Sequence, residues 1–196
     1  TLVRVDGGYK GYNTDAIGLY RELEEENIII KDKEVIILGA GGASNAITYI
    51  CVDKGAAKIY LLNRTFDKAK KLADDVNSHF GDVVVPLAIS DYRLIPKGKY
   101  PVIQTTSCGL YPHNDDAPIY DKEFYELVEA GVDIIFNPAK TMFMKLCKES
   151  GARAYNGLKM LLYQGIAAFE LWNDIKVPKN LADKILGMME RKLKES

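Results

Sequence analysis

The chain has 196 residues, 47% hydrophobic and 27% charged, with 26 Lys+Arg against 27 Asp+Glu and a formal net charge of -1. That balance leaves no basic excess to hold a nucleic-acid backbone or an anionic membrane surface. Three cysteines (Cys51, Cys108, Cys147), scattered and never in a C-x-x-C pair, and two histidines (His79, His113) argue against a disulfide framework and a metal site.

In chain order, 1–10 reads as a short strand and turn around Asp6-Gly7-Gly8, and 14–26 as a helix with Asn13 as its N-cap. The acidic run 22–26 reads as a solvated helix face. Apolar runs of strand length at 34–38, 58–62, 82–87, 101–105, 132–136 and 152–155 then alternate with helical patterns at 45–54, 66–80, 121–130 and 141–150. In 66–80 the apolar residues Phe66, Ala69, Leu72, Ala73 and Val76 recur at three-to-four spacing behind Thr65 as N-cap, and Gly131 and Gly151 stand where the next two helices would end. Amphipathic helices at 158–172 and 178–193 close the chain. This alternation predicts an α/β fold, a doubly wound parallel sheet covered by helices. No apolar run approaches the roughly 18 to 20 residues of a membrane helix, and the first residues lack the pattern of a signal peptide, so a cytoplasmic protein is expected. The length accommodates one full domain, or one domain of a longer chain.

Val35-Ile36-Ile37-Leu38 runs directly into Gly39-Ala40-Gly41-Gly42-Ala43-Ser44 and then into a helix, the context in which a glycine-rich turn reads as a dinucleotide site. A tight turn at Gly39 and bare backbone at Gly41 let a pyrophosphate approach the helix N-terminus, where free N–H groups and the helix dipole favour negative charge. Ser44 is a small residue at the third fingerprint position and still permits close helix–strand packing. The sheet is therefore expected to be a Rossmann domain, with a connecting helix before it and helices appended after it.

The second strand identifies the cofactor. A site for NAD holds an Asp or Glu roughly 20 residues past the glycines to bond the ribose 2′-hydroxyl. Here that place holds Asn63-Arg64-Thr65. A guanidinium grips a 2′-phosphate that a carboxylate would repel, Thr65 and the following helix add neutral donors, and Lys68 one turn on strengthens the positive field. The expected cofactor is NADP(H).

Six motifs in order, Gly11-Tyr12-Asn13-Thr14-Asp15, Gly39-Ala40-Gly41-Gly42-Ala43, Asn63-Arg64-Thr65, Thr106-Ser107-x-Gly109, Asp133-x-x-Phe136-Asn137-Pro138 and Asn156-Gly157-Leu158-Lys159-Met160-Leu161 with Gln164, resemble the shikimate dehydrogenase family over essentially the whole chain. The resemblance implies NADP-dependent oxidation of shikimate to 3-dehydroshikimate, reversibly, in aromatic amino acid biosynthesis. It implies that Asp15 bonds the substrate hydroxyl beside a catalytic lysine, an arrangement that eases proton transfer. Gln164 would reach the substrate from the first C-terminal helix. Ile134 and Gly157 would lie along the nicotinamide end of the cofactor, with Thr106 and Ser107 at its border. Asn13 reads as a helix cap.

Two departures stand out. Phe136 replaces the family's usual Tyr beside the substrate, keeping the ring without the hydroxyl, and Gln104 stands where Asn is common. A quinate/shikimate enzyme of dual specificity is thus an alternative, as is a non-catalytic NADP-binding module. The family's N-terminal substrate domain, with its serine pair and catalytic lysine, has no counterpart in this sequence. The expected organisation is a strand and connecting helix belonging with that domain at 1–26, an NADP-binding Rossmann domain at 27–156 and C-terminal helices at 157–196. Such a chain is expected to bind cofactor and turn over nothing alone.

Overall fold

The computed structural model describes residues 1–195. It opens with an antiparallel hairpin, β1 (Leu2–Val5) and β2 (Gly8–Gly11), followed by helix α1 (Thr14–Glu25). Then come β3 (Glu34–Leu38), α2 (Gly42–Asp53), β4 (Lys58–Asn63), α3 (Phe66–Phe80), β5 (Val84–Ala88) and a 3-10 helix (Ile89–Leu94). The second half runs through β6 (Tyr100–Gln104), α4 (Lys122–Tyr125), β7 (Val128–Asp133), α5 (Met142–Glu149), β8 (Arg153–Asn156), α6 (Leu158–Asn173) and α7 (Lys179–Glu195).

The six strands β3 to β8 form one parallel sheet in the order β5-β4-β3-β6-β7-β8. Chain order thus reverses between β3 and β6, the Rossmann arrangement, and ligands of such sheets bind beyond the strand C-termini at that reversal. Side chains alternate across β3: Val35 and Ile37 pack with Leu19, Ile47 and Cys51 on one face, Ile36 and Leu38 with Tyr60, Phe124 and Phe143 on the other. Coverage of both faces is why the strand is an unbroken apolar run. Among the described residues, no helix is long and apolar enough to cross a membrane.

Two expectations are corrected. The helix expected over 121–130 is only the four residues of α4, and the strand expected at 132–136 starts at Val128 and stops at Asp133. Gly131 ends no helix. It lies inside β7, where a Cβ would stand 2.8 Å from Cys147 Sγ and 3.0 Å from the Phe143 ring, so its bareness lets α5 sit on the sheet. Ile134 and Phe136 consequently fall on the loop past the strand end. The acidic run 22–26 is not a solvated face either. Glu22 is 1% exposed with its Oε2 accepting from Met160 N at 3.1 Å, Glu25 and Glu26 are half-buried against Lys159, and only Glu24 of the four glutamates is exposed.

Candidate active site

The glycine turn is built by its neighbours. Gly39 has φ +112°, a conformation side chains rarely tolerate, and a Cβ there would lie 2.5 Å from Thr105 Oγ1. Its N–H donates to Leu62 O at 2.7 Å, and its carbonyl accepts from the buried Ser44 hydroxyl at 2.6 Å, which ties the turn to α2. Thr105 Oγ1 donates to Leu38 O at 2.7 Å and so joins β6 to the same turn. Gly41 and Gly42 meet open space where a Cβ would be, and Gly41 caps α2 without a side-chain bond to the first-turn amides. Ala40 and Ala43 are partly buried against the core. The result is a bare helix N-terminus, the chemistry an anionic phosphate requires.

At the end of β4, Asn63 Nδ2 donates to Thr65 O at 2.8 Å and fixes the turn into α3. Thr65 occupies the N-cap position as expected, but its side chain makes no capping bond, so its hydroxyl is left available. Arg64 and Lys68 are exposed, and neither has an ion-pair or hydrogen-bond partner for its charged head among the described residues. No carboxylate stands at the 63–65 turn itself; Asp67 lies in the first turn of α3. This donor set fits a phosphorylated ribose.

On the other side of β3, Gln104 ends β6 and Asp133 ends β7, both wholly buried. Gln104 Nε2 donates to Thr106 O at 3.3 Å and Cys108 O at 3.1 Å, and its Oε1 accepts from the Thr106 amide, which folds 106–108 over the strand end. Burial pushes the Asp133 carboxyl up to about 6, against the pull of hydrogen bonds from Thr141, Ile135 and Gln104. A Cβ on Gly157 would overlap the Ile134 carbonyl, lying 2.5 Å from its carbon. Phe136 is 37% exposed and Ser107 is exposed.

Asp15 and Gln164 lie on the helices α1 and α6. These cross at Gly18, where a Cβ would stand 2.6 Å from Met160 O and 2.7 Å from Gln164 N. Asp15 precedes Gly18 by three residues, a spacing that shares one helix face. Asp15 is exposed and Gln164 half-buried. Asn13 caps α1 through Oδ1, which accepts from Ala16 N at 3.1 Å. Glu22 lies farther along α1, and burial pushes its carboxyl up to about 8.

The structure therefore gathers Gly39–Ala43 with Thr106, and Ile134 with Gly157, while 63–68 stands across β3 from Gln104 and Asp133. Among the described residues, no hydrogen bond joins Phe136 or Ser107 to Asp15 or Gln164. Sequence reading assigns no site role to Thr105 or Asp133, and it places Glu22 on a solvated helix face. A polar residue ending an otherwise apolar strand is the signal that marks Gln104 and Asp133.

Comparison with known proteins agrees. The family described as shikimate / quinate 5-dehydrogenase matches residues 22–90, and the shikimate 5'-dehydrogenase C-terminal domain matches 157–184. The NADP(+) shikimate dehydrogenase of Carboxydothermus hydrogenoformans is 37% identical over 96% of this chain and 66% of the relative. A chorismate mutase/shikimate 5-dehydrogenase fusion protein from Clostridium acetobutylicum superposes with a TM-score of 0.83 at 33% identity, covering 98% of this chain and 67% of that one. A shikimate dehydrogenase solved with NADP+ gives 0.77 at 33% identity, covering 93% and 63%. The chain spans 62 to 66% of the length of the curated relatives it matches. On these matches and on its fold, this chain belongs to the shikimate dehydrogenase family.

Proposed function

We propose that this chain is the NADP(H)-binding portion of a cytoplasmic, NADP-dependent shikimate dehydrogenase. The observation that carries the reading is the end of β4: Arg64 unpaired among the described residues, Thr65 uncommitted, and no carboxylate where a 2′-hydroxyl would be held. The curated relatives, named as NADP(+) shikimate dehydrogenases, support it.

When bound, the nicotinamide supplies the hydride acceptor, a chemistry that side chains lack. Gly39, Ala40, Gly41, Gly42 and Ala43 admit the pyrophosphate to the α2 amides. Asn63 holds the turn from which Arg64, Thr65 and Lys68 bind the 2′-phosphate. Thr106, Ser107, Ile134 and Gly157 border the nicotinamide end and exclude water there. Asp15 holds the proton at the substrate hydroxyl, Gln164 donates to the substrate from α6, and Phe136 supplies an apolar edge. These roles orient reactants rather than form bonds, which is the protein's share in hydride transfer.

In this reading 1–26 and 157–196 flank the cofactor domain 27–156 and pack with a substrate domain that brings the serine pair and the lysine. The relatives' greater length supports such a domain. The chain alone is then expected to bind cofactor without oxidising shikimate.

Titration of NADP+ and NAD+ against wild type and Arg64→Ala tests the proposal. NADP+ should bind more tightly to wild type, and Arg64→Ala should remove the preference by weakening NADP+ alone. Equal wild-type affinities would overturn it.

A further inference from the structure

Gln104 and Asp133 are adjacent in the parallel register of β6 and β7, and each is completely buried at the C-terminal edge of the sheet. A buried carboxylate is tolerated only when its acceptor sites are filled. Asp133 meets that condition with three segments. Its Oδ1 accepts from Ile135 N at 3.0 Å and from Gln104 Nε2 at 3.4 Å, and its Oδ2 accepts from Thr141 Oγ1 at 2.6 Å. Gln104 passes the connection to the carbonyls of Thr106 and Cys108.

Thr141 closes the circuit. It caps α5, accepting from Met144 N at 3.3 Å, and its Cβ lies 3.3 Å from where a Cβ on Gly109 would be. The loop 105–109, the loop after β7 and the N-terminus of α5 therefore all rest on one buried cluster. The other titratable groups facing Asp133 are the Tyr125 and Cys147 side chains, both shifted upward by burial first and by nearby charge, this carboxylate included, after it. Loss of any member of the Asp133 cluster would strand the others in the interior without partners.

We propose that Asp133 and Gln104 are positioning residues for the nicotinamide half of the cofactor, locking Thr106 on one loop to Ile134 on the other so that both borders of the nicotinamide slot are held as a single piece. This deepens the cofactor assignment made above and rests on it. The sheet order separates the two ends of the cofactor: β6 and β7 lie on one side of β3, and β4, with Arg64 after it, on the other. Disturbing the cluster should loosen the nicotinamide slot and leave the 2′-phosphate grip intact.

The test is a pair of titrations of this chain, with NADP+ and with adenosine 2′,5′-bisphosphate, which keeps the 2′-phosphate and lacks the nicotinamide. Asp133→Ala removes the hub, and Gln104→Leu keeps the carboxylate while removing the tethers to 106–108 and the hydrogen bond from Gln104 Nε2 to Asp133. In both variants NADP+ should bind about tenfold more weakly, the worth of roughly one hydrogen bond to a charged group, while the bisphosphate binds as to wild type. Gln104→Leu decides the matter if Asp133→Ala fails to fold. A general loss of structure would weaken both ligands in parallel, and that outcome, or unchanged NADP+ affinity in folded variants, overturns the inference. A wild-type chain that binds neither ligand overturns the cofactor assignment itself.

Discussion

Gly157 and Ile134 occupy one another's space: the backbone of Ile134 runs where any side chain on Gly157 would begin, and Gly157 N donates to the neighbouring Ile135 O at 3.1 Å. Gly157 has φ -73°, an ordinary conformation, so its requirement is for room and not for backbone freedom. Gly157→Ala should therefore push the loop after β7 away from the start of α6. The expected cost is about 1–3 kcal/mol, the range of overpacked sites, read by denaturant unfolding. NADP+ affinity should fall as well, because Ile134 borders the proposed nicotinamide slot. An alanine variant as stable as wild type would show that the loop yields freely.

Gly41 presents the opposite case. A Cβ there meets nothing within 4 Å and its φ of -97° suits any residue, so the fold does not require glycine. The proposed ligand does, since a methyl group would stand between a phosphate and the first amides of α2. Gly41→Ala should lose no more than about 1 kcal/mol of stability, as expected at an N-cap. It should nonetheless bind NADP+ at least about tenfold more weakly. Undiminished binding would move the pyrophosphate elsewhere.

Gly165 offers a third comparison, at a place the proposed site does not use. It lies in the middle of α6, is exposed, and has open space within 4 Å of where a Cβ would stand. Glycine in a helix costs backbone entropy that alanine does not, so Gly165→Ala should stabilise the chain by about 0.4–1 kcal/mol. A thermal melt with a lower midpoint would contradict it.

The parallel sheet was legible because strands covered on both faces must be apolar throughout, as in Val35-Ile36-Ile37-Leu38, and because the turns between them carry glycine and capping residues. The stretch 121–136 was not, for a physical reason. Phe124, Leu127 and Val128 fall at helical spacing, but Tyr100 N bonds Leu127 O at 2.8 Å and draws the chain into the sheet four residues early. That bond is made across the fold, and local spacing carries no trace of it. The glycine turn and the Arg64 turn were legible because phosphate chemistry constrains adjacent residues. The Gln104–Asp133 contact joins residues 29 apart and depends on lateral strand register, which periodicity alone leaves open. Glu22 was misread because its partner, Met160 N, comes from a helix 138 residues away.

Glu22 also makes the stability of the chain depend on pH. Burial is the main reason its carboxyl is pushed up to about 8, aided by Glu26 and Glu25 and opposed by the Met160 amide and Lys159. In the unfolded chain it titrates near 4.5. Between those values the folded state holds a proton that the unfolded state has released, so stability falls as pH rises through this window. The neighbouring Glu25 works the other way: despite its partial burial, hydrogen bonds from Tyr163 and Lys159 hold its carboxyl below the usual range, and its contribution is lost in acid. Glu25 is present in wild type and in Glu22→Gln alike, so the difference between them isolates Glu22. Glutamine keeps an acceptor for Met160 N and cannot ionise. Glu22→Gln should match wild type near pH 4 and exceed it progressively up to pH 8, by a few kcal/mol, with about 1.4 kcal/mol for each tenfold change in proton affinity as the upper bound. Denaturant midpoints for the two proteins across that range measure the divergence. Parallel curves would mean that the carboxyl at the α1–α6 contact titrates normally despite its burial.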